Sequence, residues 1–390
     1  GGELRVQNQS TVFSLIRQSD SFNTEADVNL AGGDVIIEDQ PVMTHQDESG
    51  YAIEETVFSN VVGDGKAEVT LEAADTFTET STHTWDEDAE TETDSYEAFA
   101  EGGFIHVRDD ASIVAGIDQP VDFENELPGA RVYFEAAGYA DSTSILFSDA
   151  RVESYVDGEG SAVTEIDTWT SDIEVNSSNL MSHVDRGDNS AVIDFDSGED
   201  VIISDSLLKA TVREEGTARI NFNMNPWYED NIEGLQNDIG NLVISDSDIR
   251  AWVYGDGTAE INTNVEGSIS VRDRSTLLAQ IGAGITTARI NLQANNGDPI
   301  IIDDSHILSR VHKNGTAEVI MRSDDNGTGT ISVEDSDVES FVMGNGTTGV
   351  DIDGGESVTI ENTDILSKVL QEGYAHTGIH AGDYYGNNGG

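Results

Sequence analysis

The chain repeats one unit of sequence, and this repetition limits what it can fold into. In the stretch from Leu242 to Asn262, two alternating apolar residues precede Asp246; Ile249, Ala251 and Val253 follow it. A glycine turn then leads to Ala–x–apolar. The same pattern occupies residues 201–222, 299–321, 330–352 and 358–379. Repeats of this size build solenoids, in which each repeat buries its apolar face against its neighbours.

Two columns of residues set the register of the repeats. One is the aspartate position: Asn8, Asp39, Asp109, Asp149, Ser177, Asp205, Asp246, Asp273, Asp304, Asp335 and Asn362. The other is the small residue after the glycine turn: Ala26, Ala67, Ala130, Ala162, Ala191, Ala218, Ala259, Ala288, Ala317, Thr348 and Ala375. The two columns alternate along the chain, so the sequence predicts eleven coils.

The apolar residues within a coil alternate with a period of two, which is the pattern of strands with one buried face. We therefore predict an all-β, parallel β-solenoid with three short strands per coil. One domain should span residues 1–380, followed by a Gly/Asn/Tyr-rich tail at 381–390. Positive φ angles are expected in the turn glycines Gly160, Gly216, Gly257, Gly315, Gly346 and Gly373.

Insertions interrupt the repeat at a few corners, and most leave after the third strand of a coil. An acidic segment at about 72–103 alternates around a DEDA turn and predicts a protruding hairpin. An aromatic loop follows at about 223–241. We expect these excursions on one side of the rod, which in solenoids is often the binding face. Trp85, Trp227 and Tyr228 are the candidate ligand-binding residues there.

The composition restricts environment and partners. The chain has 18 basic against 76 acidic residues, a net charge of −58, which would repel itself at low ionic strength and is typical of halophilic archaeal proteins. Nucleic acid is a poor partner for such a surface. No apolar run reaches the ~18 residues that span a bilayer. The absence of cysteine excludes disulfides and thiolate chemistry. The start, Gly1-Gly2-Glu3, is consistent either with a mature, processed product or with added residues that hide the native start.

The coil pattern, IxxDSxIxSxV followed by GTAxI, resembles the right-handed parallel β-helix proteins of the pectate-lyase-like fold. This resemblance covers nearly the whole chain, at the level of architecture. It implies a parallel β-helix, which the family uses in polysaccharide-active enzymes, viral tailspikes, adhesins and structural surface proteins. The fold alone does not choose among these functions.

The aspartate column has two interpretations. Each carboxylate could cap its own turn by accepting backbone N–H groups, a role that Asn and Ser can also fill. Alternatively, the stacked carboxylates could bind a line of cations such as Ca²⁺. The residues in question are Asp205, Asp246, Asp248, Asp304, Asp335 and Asp337. We favour the turn cap.

Other candidate sites are weaker. His376 and His380 lie two steps apart on a strand, without a third zinc ligand nearby in sequence, and we interpret them as an exposed pair. Carboxylate pairs for glycoside hydrolysis are frequent by composition alone. The arginines that a lyase would need, Arg131, Arg219 and Arg289, fall in non-adjacent coils. Glycosylation sequons occur at Asn8, Asn176, Asn314, Asn326 and Asn345.

The first and last coils already follow the pattern of interior coils. We expect their apolar residues to form end surfaces for stacking, namely Leu4, Val6, Ile365, Val369 and Ile379. Head-to-tail contacts of this kind propagate without closing. The sequence therefore predicts a self-assembling extracellular filament or sheath of a halophile, whose partner is itself. A carbohydrate-binding adhesin or viral fibre, contacting cell-surface glycans or the S-layer, is the alternative. A polysaccharide lyase or glycoside hydrolase is the third interpretation.

Overall fold

The computed structural model describes residues 3–7, 12–32, 34–38, 45–46, 52–53, 56–73, 76–86, 91–101, 103–118, 128–136, 143–168, 171–186, 189–224, 240–283, 285–323 and 328–382. These residues contain strands and turns, without a helix. They form a parallel β-solenoid of eleven coils, each contributing to three parallel sheets, so the predicted fold class and number of coils are confirmed.

The first sheet is built from short strands, one from each coil in order. They are β1 (Glu3–Val6), β3 (Asp34–Glu38), β9 (Ile105–Arg108), β12 (Thr143–Ser148), β15 (Asp172–Asn176), β18 (Val201–Ser204), β21 (Leu242–Ser245), β24 (Ile269–Arg272), β27 (Ile300–Asp303), β30 (Thr330–Glu334) and β33 (Ser357–Glu361).

The second sheet begins with β2 (Val12–Gly32) and β6 (Val57–Ala73), two long strands that continue into the third sheet. Its other strands are β10 (Ser112–Asp118), β13 (Arg151–Asp157), β16 (Asn179–Val184), β19 (Leu207–Val212), β22 (Asp248–Val253), β25 (Thr276–Ile281), β28 (His306–Val311), β31 (Asp337–Val342) and β34 (Asp364–Val369).

The third sheet continues from β2 and β6 into one further strand per coil. They are β11 (Gly129–Ala136), β14 (Ser161–Thr168), β17 (Asn189–Ser197), β20 (Gly216–Met224), β23 (Gly257–Val265), β26 (Ile285–Ala294), β29 (Asn314–Ser323), β32 (Gly346–Gly354) and β35 (Gly373–Ala381). Two antiparallel hairpins project from the coils: β4 (His45–Gln46) with β5 (Ala52–Ile53), and β7 (Thr76–Asp86) with β8 (Thr91–Glu101). The second hairpin occupies the acidic insertion.

Stacked aliphatic residues from all three sheets form one continuous core along the rod. Ile244, Val253 and Ile261, which represent the three sheets in a single coil, are all fully buried. Because the strands pair in register, each column places its members directly above one another. The apolar residues that alternate along each strand therefore stack into a layered core, and the polar residues between them lie on the outside.

The aspartate column owes its composition to backbone geometry. Its described members, from Asp109 to Asn362, all have left-handed φ angles between 44° and 59°. Asp and Asn tolerate this conformation better than other side chains. The carboxylates are exposed. The left-handed turn explains why Asp and Asn occupy this column, and the side-chain cap stays a prediction.

In several coils the residue after the aspartate column is a serine, and these serines form a hydrogen-bonded ladder in the same turn. The Ser206 hydroxyl donates to the Ser204 carbonyl at 2.7 Å and accepts the Ser178 amide of the preceding coil at 3.0 Å. Ser247 repeats this pattern with Ser245 and Ser206. The serines are buried, so each hydroxyl satisfies an amide that would otherwise lack a partner.

Two columns of small residues face each other across a narrow part of the core. The Ser309 hydroxyl donates to the Ala288 carbonyl at 2.8 Å, and Ser340 does the same to Ala317 at 2.7 Å. Both serines are fully buried. Small residues occupy both columns because larger side chains would overfill this narrow part of the core.

The turn glycines lie where neighbouring coils approach each other most closely. A Cβ on Gly257, whose φ is +146°, would lie 1.8 Å from the Gly216 carbonyl oxygen. Positive φ is confirmed at Gly160, Gly216, Gly257, Gly315 and Gly346, while Gly373 is not among the positive-φ residues.

Candidate functional site

Two surfaces of the rod are candidate functional sites, one for its ordered polar side chains and the other for its exposed apolar side chains. The first is the outward face of the third sheet, where β14, β17 and β20 each present three or four partly exposed positions between their buried ones. The second is the outer surface of the last coil, coil 11, which consists of β33, β34 and β35.

A groove runs over the third sheet from β14 to β26 and encloses about 500 Å³. At one end its wall is acidic, with Glu165, Asp194 and Asp196. Farther along the rod the same columns change to amides: Asn221, Asn223, Asn262, Asn264, Asn291 and Gln293. The groove therefore passes from hydrogen-bond acceptors to side chains that both donate and accept.

The amides and carboxylates form ladders along the rod axis. The Asn223 side chain donates to Asp196 at 2.7 Å, Asn264 donates to Asn223 at 3.1 Å, and Asn295 donates to Asn264 at 3.0 Å. In the neighbouring column, Asn262 donates to Asn221 at 3.2 Å. These bonds fix the orientation of each amide and of the groups that it presents to solvent.

The acidic end contains carboxyl groups whose protonation is altered. Burial, together with the negative charges of Asp196, Glu135 and Glu165, raises the pKa of Asp167 to about 7. Burial also raises the pKa of Asp194, against the opposing effect of its hydrogen bond from Asn221. Close carboxylates cannot all ionise without cost, so protons are retained here near neutral pH.

The three arginines considered for lyase chemistry lie in one column beside this groove, where each is held in an ion pair. The shortest contacts are 2.6 Å between Arg131 and Glu165, 2.9 Å between Arg219 and Glu260, and 2.7 Å between Arg289 and Glu318. The last two pairs are linked, because Arg289 also lies 3.9 Å from Glu260. This arrangement is a ladder of alternating charge between coils.

Coil 11 exposes residues whose equivalents in other coils are buried. Ile379 is 46% exposed, whereas Ile352, its neighbour in the same column, is fully buried. On the outward face, Leu366 is 39% and Leu370 is 49% exposed. Among the described residues, β33, β34 and β35 each pair with one neighbouring strand.

The predicted end residues differ in their exposure. Ile365 and Val369 in coil 11 are partly buried, as is Leu4 at the opposite end, while Val6 is only 7% exposed. Phe13, on the outward face of the first coil, is 46% exposed. Among the described residues, more large apolar side chains are exposed at coil 11 than at coil 1.

Two of the carboxylates in the predicted cation column are paired with arginines. Asp246 pairs with Arg274 at 2.6 Å, and Asp248 with Arg250. As placed, no three or more histidine or acidic side chains among the described residues form a metal site. The Ca²⁺ line through Asp205, Asp304, Asp335 and Asp337 stays a prediction.

The sequons and aromatic candidates have varied positions. The Asn314 side-chain carbonyl accepts the Asn345 amide at 2.8 Å, and that of Asn345 accepts the Glu372 amide at 3.0 Å, so both support turns while remaining exposed. Asn176 is partly buried and accepts the Ser204 hydroxyl. Trp85 belongs to β7. Asn8, Asn326, Trp227 and Tyr228 lie outside the described residues.

The histidine pair is where the structure adds most to the sequence. His376 and His380 flank Gly378 on β35, and Asp351 of β32 lies opposite Gly378 in the strand register. The His376 Nε2 atom is 3.4 Å from the Asp351 carboxylate. Sequence spacing could not reveal this neighbour, because it comes from the preceding coil; aligning the coil columns could have.

Comparisons with protein-family profiles, with curated proteins and with solved structures give no match to this chain. Among the described residues there is no helix long and apolar enough to cross a membrane.

Proposed function

We propose that this chain is a structural, extracellular subunit of a halophile that assembles end to end into a filament or sheath. The observation that supports the proposal is the exposed apolar surface of coil 11, where Ile379 is 46% exposed beside the fully buried Ile352. A parallel sheet edge with exposed apolar residues is a template for another strand-bearing surface.

The first coil of a second copy is the occupant that fits this surface. The column of Ile365 begins at Val12, and that of Leu366 begins at Phe13. If a second copy continued the register, its Val12 would cover Ile365. Its Phe13, which is 46% exposed, would meet Leu366, which is 39% exposed. Apolar positions would therefore face apolar positions in the core and on the outer face.

The charge of the chain sets the conditions for such a contact. A net charge of −58 opposes association, because each added copy brings the same charge. At about 1 M salt the Debye length falls to about 3 Å, so repulsion beyond neighbouring groups is screened. We expect assembly to require high salt and to weaken on dilution of the salt.

Light scattering and negative-stain microscopy of the full chain in molar salt test the proposal. Wild-type protein should form rods whose length grows with concentration. Ile379→Glu should keep the protein monomeric, because it places a charge in the contact. Ile301→Glu is the matched control, since Ile301 is a 40% exposed isoleucine in an interior coil. Phe13→Glu should block assembly from the other end.

A single monomeric species across concentration in high salt would overturn the proposal. Equal assembly by Ile379→Glu and wild type would place the contact elsewhere. Trimers with free ends would instead support the viral-fibre alternative. Circular dichroism of each variant establishes that the fold is retained before its assembly is interpreted.

The groove on the third sheet favours a second candidate function, binding of a neutral polysaccharide. Its ordered amides present donors and acceptors along the rod axis, and its acidic end would repel polyanions. Binding of neutral glycans in molar salt, measured by calorimetry, should weaken when Asn223 and Asn264 are both changed to Ala. Unchanged affinity in that variant would remove the groove from consideration.

A further inference from the structure

Gly378 lies at the centre of three potential metal ligands. A Cβ atom on this glycine would lie 2.5 Å from the Asp351 Oδ1, 2.9 Å from the His376 Nε2 and 3.2 Å from the His380 Nε2. The glycine leaves that space unfilled by any side chain of its own. Two histidines on one strand and a carboxylate on the next thus converge on one point.

The distance between two of these atoms suits a small tetrahedral ion. Zn²⁺ binds histidine nitrogen and carboxylate oxygen at about 2.0–2.2 Å. Two ligands of one tetrahedral ion at such distances are therefore about 3.4 Å apart. The His376 Nε2 and Asp351 Oδ1 atoms are separated by 3.4 Å. As placed, these three groups do not form a metal site. Rotations of their side chains have to bring all three ligands to bonding distance, which is feasible because each contacting atom is at the free end of its side chain.

We propose that Asp351, His376 and His380 bind a zinc ion above Gly378, linking coil 10 to coil 11. Two imidazoles and one carboxylate complete a three-residue ligand set, and water occupies the fourth position. Imidazole nitrogen selects Zn²⁺ over Ca²⁺, which takes six or more oxygen ligands. His376 and Asp351 are about half exposed, with side-chain exposures of 45% and 44%, so the ion reaches them from solvent.

The bound ion would stabilise the last coil. It replaces the contact between His376 and Asp351 with coordinate bonds that join β35 to β32. A ligand that binds only the folded state raises the stability of that state. This site is independent of end-to-end assembly, because all three ligands belong to one chain.

Isothermal titration of the full chain with Zn²⁺ in molar NaCl tests the site, since high salt suppresses weak binding to the other acidic residues. Wild type should bind one ion, and Ca²⁺ should not compete. His376→Ala, and separately Asp351→Asn, should each weaken binding by about tenfold or more, by loss of one ligand. Co²⁺ in place of Zn²⁺ should give the visible absorption of a tetrahedral site.

Gly378→Ala is the sharpest variant, because its methyl group occupies the position of the ion while every ligand is retained. Gly349→Ala is the matched control, since a Cβ there would meet nothing within 4 Å. Zinc binding should be lost in Gly378→Ala and preserved in Gly349→Ala, with thermal denaturation confirming that both fold. Wild-type affinity in Gly378→Ala, or Zn²⁺ binding by wild type no tighter than by a His376→Ala/His380→Ala double variant, would overturn the proposal.

Discussion

Coils 10 and 11 follow the same sequence pattern in neighbouring layers, yet their apolar residues have different surroundings. Ile352 in coil 10 is fully buried between two layers, while Ile379 in coil 11 is 46% exposed. The difference shows that a coil does not form its own core. Each layer is covered by the next, as in other repeat proteins, so the same residue contributes different stability at different positions.

Truncating these two isoleucines should give the largest difference between the coils. Ile352→Ala leaves a cavity within the layered core and should lower the free energy of unfolding by about 2–5 kcal/mol. Ile379→Ala removes a half-exposed side chain, so its cost should be below about 1.5 kcal/mol. Urea denaturation in molar salt, under conditions where the protein is monomeric, measures both.

Similar losses for the two variants would break the comparison. They would mean that Ile379 is covered in solution as Ile352 is, for example by a second copy. Repeating the measurement across protein concentrations separates these cases, because coverage by a second copy makes the loss concentration-dependent.

The left-handed turn at the aspartate column should contribute less to the free energy of unfolding than the buried isoleucine Ile352 does. Asp304 has a φ of 44°, so Asp304→Val forces a β-branched residue into that conformation and should cost about 1–3 kcal/mol. Asp304→Gly should stay within about 0.5 kcal/mol of wild type, because glycine adopts the same φ freely. Thermal denaturation with and without a chelator distinguishes this explanation from Ca²⁺ binding. A chelator effect that disappears in Asp304→Gly would favour the cation.

The serine ladder can be tested at one position inside the rod and at the equivalent position in coil 11. Ser247→Ala leaves the buried Ser206 amide without its 3.1 Å partner and should cost about 1–2 kcal/mol. Thr363 in coil 11 accepts the Ser336 amide at 3.4 Å, so Thr363→Val should cost less. Urea denaturation checks the order. Equal losses would show that the ladder is as strong in the last coil as inside the rod.

The columns were predictable from sequence because the repeat aligns them, and the number of coils follows directly. The physical reason for a column was harder to infer. Aspartate suggested a cap, but the sequence did not reveal that the column has left-handed φ angles, nor that the serine hydroxyl beside it bonds to the backbone of the turn.

Contacts between coils were the least predictable part of the candidate sites. Asp351 and His376 are 25 residues apart in sequence, and they meet because β32 and β35 pair in register. The clustering of Asp167 with Asp196 arises in the same way. Composition alone could not identify these pairs among 76 acidic residues.

Replacing Asp167 should give the smallest change in stability. It tests whether the carboxylates at the acidic end of the third sheet repel one another more than those at the far end, where basic residues are also present. The Asp167 pKa of about 7 in the folded protein lies above the ~3.9 of an unfolded aspartate. The folded state therefore holds the proton more tightly, and the resulting stability is present below about pH 4 and lost as pH rises through 7. Asp167→Asn removes this loss. It should stabilise the protein by about 1 kcal/mol at pH 8 and by little at pH 4.

Thermal denaturation of wild type and Asp167→Asn from pH 4 to pH 8, at constant molar salt, measures the difference. Asp353→Asn is the matched control: Asp353 lies in the same column but between Arg322 and His380, so removing its charge should not stabilise the protein at pH 8. A gain that is equal at pH 4 and pH 8, or equal in the two variants, would show that clustering with Asp196, Glu135 and Glu165 is not its cause. A gain in stability found only in Asp167→Asn and only at high pH would show that repulsion between carboxylates destabilises the acidic end. The neutral amide ladders farther along the rod lack this repulsion.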